Sequence, residues 1–200
     1  LVNTGDSKTG APQEQAAISA EATTAAAGET PAAAGSEEPQ AEAAAKPASE
    51  LSYDNASHPA EPLGERTLGN PSAPIRVEEF SSLTCPHCAH FHKETFATFK
   101  EKLIDTGKVF FVFTDFPLNA PALDASMIAR CMPPERYFTF IAFLYENQDK
   151  WAYDSDYKTR LRQDAKLAGM SDERFDSCLA DTALKEGLVA RMQERAAKHQ

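Results

Sequence analysis

Ile75-Arg76-Val77-Glu78-Glu79-Phe80-Ser81-Ser82-Leu83-Thr84-Cys85-Pro86-His87-Cys88 is the stretch whose reading decides the fold. Asn70-Pro71-Ser72-Ala73-Pro74 delivers the chain into it through a turn. Ile75 to Phe80 then has strand length, with Ile75, Val77 and Glu79 alternating against Arg76, Glu78 and Phe80, so at least one face should be buried. From Ala89 to about Ile104 the pattern is helical. Cys88, Phe91, Phe96, Phe99 and Leu103 gather on one side, with Lys93, Glu94, Lys100 and Lys102 mostly elsewhere. Thr106-Gly107 ends that helix, glycine being the residue that takes a left-handed cap. Val109-Phe110-Phe111-Val112-Phe113 is an unbroken apolar run, the mark of a strand buried on both faces. Strand, helix and strand in that order form a βαβ unit of an α/β fold, with parallel pairing and a right-handed crossover.

Past Asp115-Phe116-Pro117-Leu118 the pattern is helical throughout. Helices are expected from Ala122 to Cys131, then after Pro133-Pro134 with Tyr137, Phe138, Phe140, Ile141, Phe143 and Leu144 as a packing face. Another runs from Tyr157 to Leu167 and stops at Gly169. Ser171 opens a fourth, which carries Phe175, Cys178 and Leu179, and a last one runs from about Thr182 to Ala197. Only two core strands are legible, a marginal sheet by itself.

Outward in the other direction, the first sixty or so residues have no aromatic before Tyr53 and are rich in Ala, Glu, Pro, Gly, Ser and Thr. Too little apolar surface is available there to offset chain entropy, so residues 1–66 read as a disordered Ala/Glu/Pro-rich linker. Flexible-chain scaling gives such a spacer a span of roughly 45 Å, which would suit a domain tethered to a membrane through a removed N-terminal segment. Residues 67–118 would then form the βαβ half with the reactive pair, and residues 119–200 a helical domain. The formal net charge of −10 leaves no basic stripe for phosphates, which excludes nucleic acid as a partner class.

Two cysteines three apart at a strand-to-helix junction point to thiol–disulfide exchange, which needs one ionisable exposed thiol and a second that resolves the mixed disulfide. Cys85 at the helix N-terminus meets unpaired N–H groups and the positive end of the dipole, which favour its thiolate. Pro86 suits the first helical turn, where its missing N–H is not needed. His87, between the thiols, can stabilise the thiolate by charge or hydrogen bonding. Cys88, one turn deeper, is the shielded resolving thiol. A Cys/His metal-binding module built on His87, His90 and His92 is the reading from another class. No second Cys-x-x-Cys pair completes four ligands, so no metal and no cofactor is assigned. Cysteine-protease chemistry would need one nucleophile and a distant base, which this turn does not provide.

Cys131 and Cys178 lie on separate expected helices. They are either ordinary buried small residues or, in an oxidising compartment, a structural disulfide. Closing a loop of that length would stabilise the fold by about 4 kcal/mol in the chain-entropy model.

With those residues in hand, the chain from about Leu68 onward resembles the DsbA-like family of thiol–disulfide oxidoreductases. Gly69-Asn70-Pro71-Ser72-Ala73-Pro74, Val77-Glu78-Glu79-Phe80, Thr84-Cys85-Pro86-His87-Cys88 and Asp115-Phe116-Pro117-Leu118 carry the resemblance. It implies a thioredoxin-like fold with an inserted α-helical domain and a Cys85–Cys88 disulfide donated to secreted proteins through a mixed disulfide at Cys85. It implies a periplasmic or otherwise extracytoplasmic place, unfolded or partly folded secreted proteins as substrates, and a membrane redox partner that reoxidises the pair. A monomer is expected. A disulfide isomerase or reductase is the alternative within redox chemistry. Glu79 matches a buried acid that assists proton transfer in relatives, although Glu78 is an equal candidate on alternation alone. His92 stands where a relative has an acid. A thioredoxin-like chain would continue into a cis-proline loop and two more strands. Here the sequence reads as truncated before them, since none of Pro117, Pro121, Pro133 or Pro134 is in that place.

Overall fold

The computed structural model describes residues 52–53, 56–57 and 61–198, with the side chains of 56 and 57 excepted. The linker expected over 1–66 therefore lies mostly outside the described residues.

The sheet has four strands, β1 (Ala56–Ser57), β2 (Arg66–Leu68), β3 (Ile75–Ser81) and β4 (Val109–Asp115), in the order β1-β2-β4-β3. β3 and β4 are parallel, in register from Ile75 opposite Val109 to Ser81 opposite Asp115. That is the βαβ pairing anticipated from the sequence. β2 runs antiparallel to β4, pairing Leu68 with Phe111 and Arg66 with Phe113. This strand corrects the expectation of only two, and it crosses the boundary expected between residues 66 and 67. It escapes a periodicity reading because it is three residues long and two of them are polar, yet Arg66 and Thr67 are buried. Arg66 is retained in the interior by lying 5.0 Å from the centre of the Tyr137 ring. At the end of β2, Gly69 has φ +91°, and a Cβ there would come within 2.8 Å of the Val109 carbonyl oxygen. Glycine is the residue that fits both the backbone angle and the close strand.

The single helix expected after the cysteines is three segments. Helix α1 is Pro86–Glu94, α2 is Phe96–Phe99, and a π-helical turn over Lys100–Ile104 follows. Thr95 interrupts α1 and α2 with φ −120° and ψ −38°, outside the helical region. The wider turn swings Lys100 inward, contrary to its expected place on the polar side. Its ammonium is 2.7 Å from Asp105 and 5.7 Å from the centre of the Tyr53 ring. Gly107 closes the segment with φ +74°, the left-handed cap anticipated.

The remaining helices are α3 (Ala120–Cys131), α4 (Tyr137–Glu146, after a 3₁₀ turn over Pro134–Arg136), α5 (Gln148–Trp151), α6 (Tyr157–Leu167), α7 (Asp172–Leu179) and α8 (Thr182–Lys198). Asn119 caps α3 by accepting from the Ala122 N–H, and Ser171 caps α7 by accepting from the Arg174 N–H. α5 has no apolar pattern beyond Trp151 and was not expected. Trp151 is fully buried, its indole N–H donating to the Leu144 carbonyl at 3.0 Å. Phe96 of α2, Phe111 and Phe113 of β4, and Tyr137, Phe138, Phe140 and Tyr145 of α4 join it in one core. The sheet and the helices are thus packed on common side chains, and α4 lies against α1. Truncating one of the large buried rings to alanine would cost about 3–5 kcal/mol.

Candidate active site

Cys85 is the N-cap of α1, with extended φ −81° and ψ 122°, and Pro86 begins the helix. The Cys85 carbonyl accepts the first helical bond from the Ala89 N–H at 3.1 Å. Its sulfur therefore stands among the N–H groups that a helix start leaves without intrahelical acceptors. Cys85 and Cys88 are free thiols, both half-buried, with Cys88 the deeper. Burial pushes the Cys85 thiol up, but the Cys88 N–H, the Cys88 thiol and the His87 N–H all face its sulfur and hold it below the ordinary value. Burial also raises Cys88. The Ser81 hydroxyl and the Ser82 N–H oppose that rise, the neighbouring Cys85 adds to it, and the net displacement is upward. One helix end thus separates the two thiols in opposite directions.

His87 contributes to this through its backbone N–H, while its imidazole is exposed. His90 is exposed as well, and His92 is buried against β3. The three histidines therefore do not converge. Among the described residues, no group of three or more His, Cys, Asp or Glu side chains is gathered as a metal site.

Adjacent β3 residues face opposite sides of the sheet, which separates Glu79 from Glu78. Glu79 lies under α1, with its two carboxylate oxygens 3.0 and 3.1 Å from Nε2 of His92. Glu78 accepts from the Thr114 hydroxyl at 2.7 Å and lies 3.5 Å from Arg195 of α8. The His92 ring is stacked between Phe96, at 4.6 Å, and Tyr145, at 4.3 Å. Nδ1 of His92 is buried and has no hydrogen-bond partner among the described residues. In the sequence His92 showed as one histidine of the metal-binding alternative and as a departure from the family's acid; the structure makes it the partner of Glu79.

The loop before α1 is held from the helical side. Gln148 of α5 donates its amide to the carbonyls of Leu83 at 2.8 Å and Cys85 at 3.0 Å. The Tyr153 hydroxyl lies 3.1 Å from both the Thr84 carbonyl oxygen and Oε1 of Gln148. Three successive carbonyls, of residues 83, 84 and 85, are thus secured by two side chains that sequence reasoning missed. No signal in a single sequence links Gln148 to a loop more than sixty residues away. The Thr84 hydroxyl donates to Asn119, the cap of α3, at 3.1 Å, so the same loop is tied to a second helix. Ser81 and Tyr145 were also missed. Their hydroxyl oxygens are 2.6 Å apart in the interior. Tyr145 follows Phe138 and Ile141 at helical spacing, a signal that could have placed it on the packing face.

Away from the pair, Cys131 at the end of α3 and Cys178 in α7 are joined by a disulfide with Cα atoms 6.3 Å apart.

A Cys-x-x-Cys pair at the start of a helix that leaves one strand of a parallel pair defines a dithiol protein of the thioredoxin class. The thioredoxin family model matches residues 61–200. A Rickettsia typhi protein described as a protein-disulfide oxidoreductase is 36% identical over 127 residues, which are 63% of this chain and 47% of that protein. A crystal structure of Wolbachia pipientis alpha-DsbA1 superposes with a TM-score of 0.61 at 36% identity, covering 65% of this chain and 66% of that one. A protein-disulfide isomerase from Novosphingobium aromaticivorans superposes with a TM-score of 0.59 at 28% identity, covering 68% of this chain and 81% of that one. The chain belongs to the thioredoxin family, in its DsbA-like group, with the thioredoxin-like fold and helical insertion of that group. It spans about half the length of the curated relatives it matches.

Proposed function

We propose that the protein is a protein thiol–disulfide oxidoreductase working as a disulfide oxidase in the periplasm or an equivalent extracytoplasmic space. The observation that carries this reading is the placement of the pair, with Cys85 as the N-cap of α1 among its free N–H groups and Cys88 one turn deeper. A stabilised Cys85 thiolate favours the reduced form, which makes the disulfide the better oxidant. In the forward reaction a substrate thiolate attacks Cys85 of the Cys85–Cys88 disulfide. A mixed disulfide forms and Cys88 leaves as a thiolate. A second substrate thiolate then attacks the substrate sulfur, forming the substrate disulfide and expelling the Cys85 thiolate. The enzyme is left with two more electrons, which a membrane redox partner would remove. Pro86 starts the helix that activates Cys85, the His87 N–H supports its thiolate, and Glu79, paired to His92, exchanges the proton of Cys88.

Secreted proteins that are unfolded or partly folded are the substrates this reading implies, met by a monomer tethered to a membrane through a removed N-terminal segment. Among the described residues no helix is long and apolar enough to cross a bilayer. The Cys131–Cys178 disulfide supports an oxidising compartment. Residues 67–118 would carry the chemistry and residues 119–200 would brace it. The likeness to a protein named disulfide isomerase keeps that activity as the second reading.

Equilibration of the protein with glutathione buffers, beside an oxidative refolding assay, tests the proposal. A reduction potential close to the about −120 mV of DsbA, with oxidation of a reduced substrate, is expected. A potential near the about −270 mV of thioredoxin would overturn the oxidase reading. Faster repair of a scrambled substrate than oxidation of a reduced one would favour isomerase.

A further inference from the structure

Beside the end of β4, between α3 and α8, the structure holds a cavity of about 140 Å³ that takes no part in the steps above. One water fills about 30 Å³ of liquid, so the space admits a tetrahedral oxyanion with a few waters. Its charged lining is Glu65, Asp115, Arg130, Arg191, Glu194 and Arg195. The signs balance in number but not in engagement. Glu65 lies 3.0 Å from Arg76, and Glu194 is paired with Lys198, so cations outside the cavity answer both carboxylates. The guanidiniums on α8 are served less well. Arg195 reaches Glu78 and Glu65 only at 3.5 and 3.8 Å, too long for good hydrogen bonds. Arg191, one helical turn before it, has no hydrogen-bond or ion-pair partner among the described residues. Like charges at that spacing repel. Burial, and then Arg130 and Arg195, hold Arg191 below its ordinary value, and the more distant Glu65 and Asp115 do not reverse this.

The second observation is Asp115, a buried side chain in the same wall. Its Oδ2 accepts from Nε of Arg130 at 2.6 Å, whereas Oδ1 is buried without a hydrogen-bond partner among the described residues. A buried acceptor left unpaired carries a desolvation penalty. An occupant suited to this wall therefore brings a donor for Asp115 as well as negative oxygens for the arginines. Sulfate and an ionised carboxylate have no proton to offer. A phosphate group that keeps one hydroxyl has both.

We propose that this cavity binds a protonated phosphate group, its oxygens accepting from Arg191 and Arg195 and its hydroxyl donating to Oδ1 of Asp115. The planar donor forks of the two arginines suit phosphate oxygens. Arg130 holds Asp115 in place and adds positive charge. Occupancy joins α8 to β4 and α3 through one anion and relieves the repulsion between Arg191 and Arg195. Arg191 is exposed, so the cavity reaches solvent, and the group can belong to the free anion or to a phosphomonoester.

Isothermal titration calorimetry on the full chain at fixed ionic strength, with inorganic phosphate, sulfate and glycerol phosphate as probes, tests the proposal. Phosphate is expected to bind saturably at one site and to raise the unfolding temperature by mass action. Sulfate is expected to bind at least about tenfold more weakly, because its oxygen would face Oδ1 of Asp115 with no proton between them. Arg191→Gln, at an exposed position, is expected to weaken phosphate binding about tenfold, the scale of one charge-assisted hydrogen bond. Arg174→Gln, exposed on α7 and outside the cavity, is expected to leave binding in place. Glycerol phosphate bound as tightly as phosphate would assign the site to a phosphomonoester, and its exclusion to the free anion; the proposal stands in both cases. An absence of saturable phosphate binding would overturn it, as would sulfate held as tightly as phosphate. Equal losses in Arg191→Gln and Arg174→Gln would also overturn it, since they would mean diffuse surface charge.

Discussion

The rings of His92 and Tyr145 stack at 4.3 Å with an angle of 18° between their planes, joining the active-site helix α1 to α4 of the helical region. Each ring also holds a polar group near the dithiol, His92 the Glu79 carboxylate and Tyr145 the Ser81 hydroxyl. The contact therefore couples the position of both polar groups to the packing of two helices.

Replacing His92 separates these two roles. His92→Ala opens a cavity beside Phe96 and Tyr145 and leaves Glu79 facing no partner in a largely buried site. A stability loss of about 3–5 kcal/mol in urea unfolding is expected. His92→Phe keeps the stack and loses only the polar contact, so its loss should be smaller. Equal losses would mean that the ring stack carries none of the effect.

Gln148→Ala removes the donor to the Leu83 and Cys85 carbonyls and an acceptor facing Tyr153. Buried carbonyls lose their partners, and a loss of about 1–3 kcal/mol is expected. Because the loop ends in the N-cap of α1, iodoacetamide alkylation of Cys85 should also change its pH profile. A variant that melts earlier but keeps the alkylation profile would limit Gln148 to a structural role.

Cys85 and Cys88 make opposite contributions to the pH dependence of the reduced protein. The Cys85 value is depressed on folding, so its stabilising contribution is lost as pH falls through the folded value and is complete above the ordinary thiol value of about 8.5. Cys88 is raised, so its contribution is present below the unfolded value and fades as pH rises through the folded one. Urea titrations of the reduced protein at stepped pH should therefore show Cys85→Ala losing stability relative to the parent increasingly as pH rises toward 8.5. A difference between the two that does not vary with pH would contradict the depressed Cys85 value.

The Cys131–Cys178 disulfide closes 47 residues between α3 and α7. A double Cys131→Ala/Cys178→Ala protein should lose about 4 kcal/mol in the chain-entropy model. The bond lies among helices away from Cys85, so peptide opening of the Cys85–Cys88 disulfide should keep its rate. Loss of that rate at a temperature where the variant is folded would show that the bridge also shapes the site.

The local features were legible because local physics sets them. The alternation of Ile75 to Phe80, the apolar run of Val109 to Phe113 and the cysteines at a helix start suffice for the βαβ unit and its reactive end. Pattern failed at β2, where Arg66 and Thr67 are buried by pairing with β4 and by the Tyr137 ring, not by being apolar. It failed again at Lys100, turned inward by a π-helical turn that no residue count reveals.

By itself, then, the sequence determined a βαβ unit with an asymmetric dithiol at its helix start, since strand periodicity, helix start and thiol spacing are each written within a few neighbouring residues. The thioredoxin-like fold was implied by the family resemblance of those same residues. Tertiary structure alone decided which of two adjacent glutamates lies under the helix. It also decided that His92 meets Glu79, that Gln148 and Tyr153 hold the loop, and that the Ser81 and Tyr145 hydroxyls meet in the interior. Those assignments depend on helices of the C-terminal half folding back over β3 and α1. A contact between residues sixty positions apart exists only once the chain between them is packed.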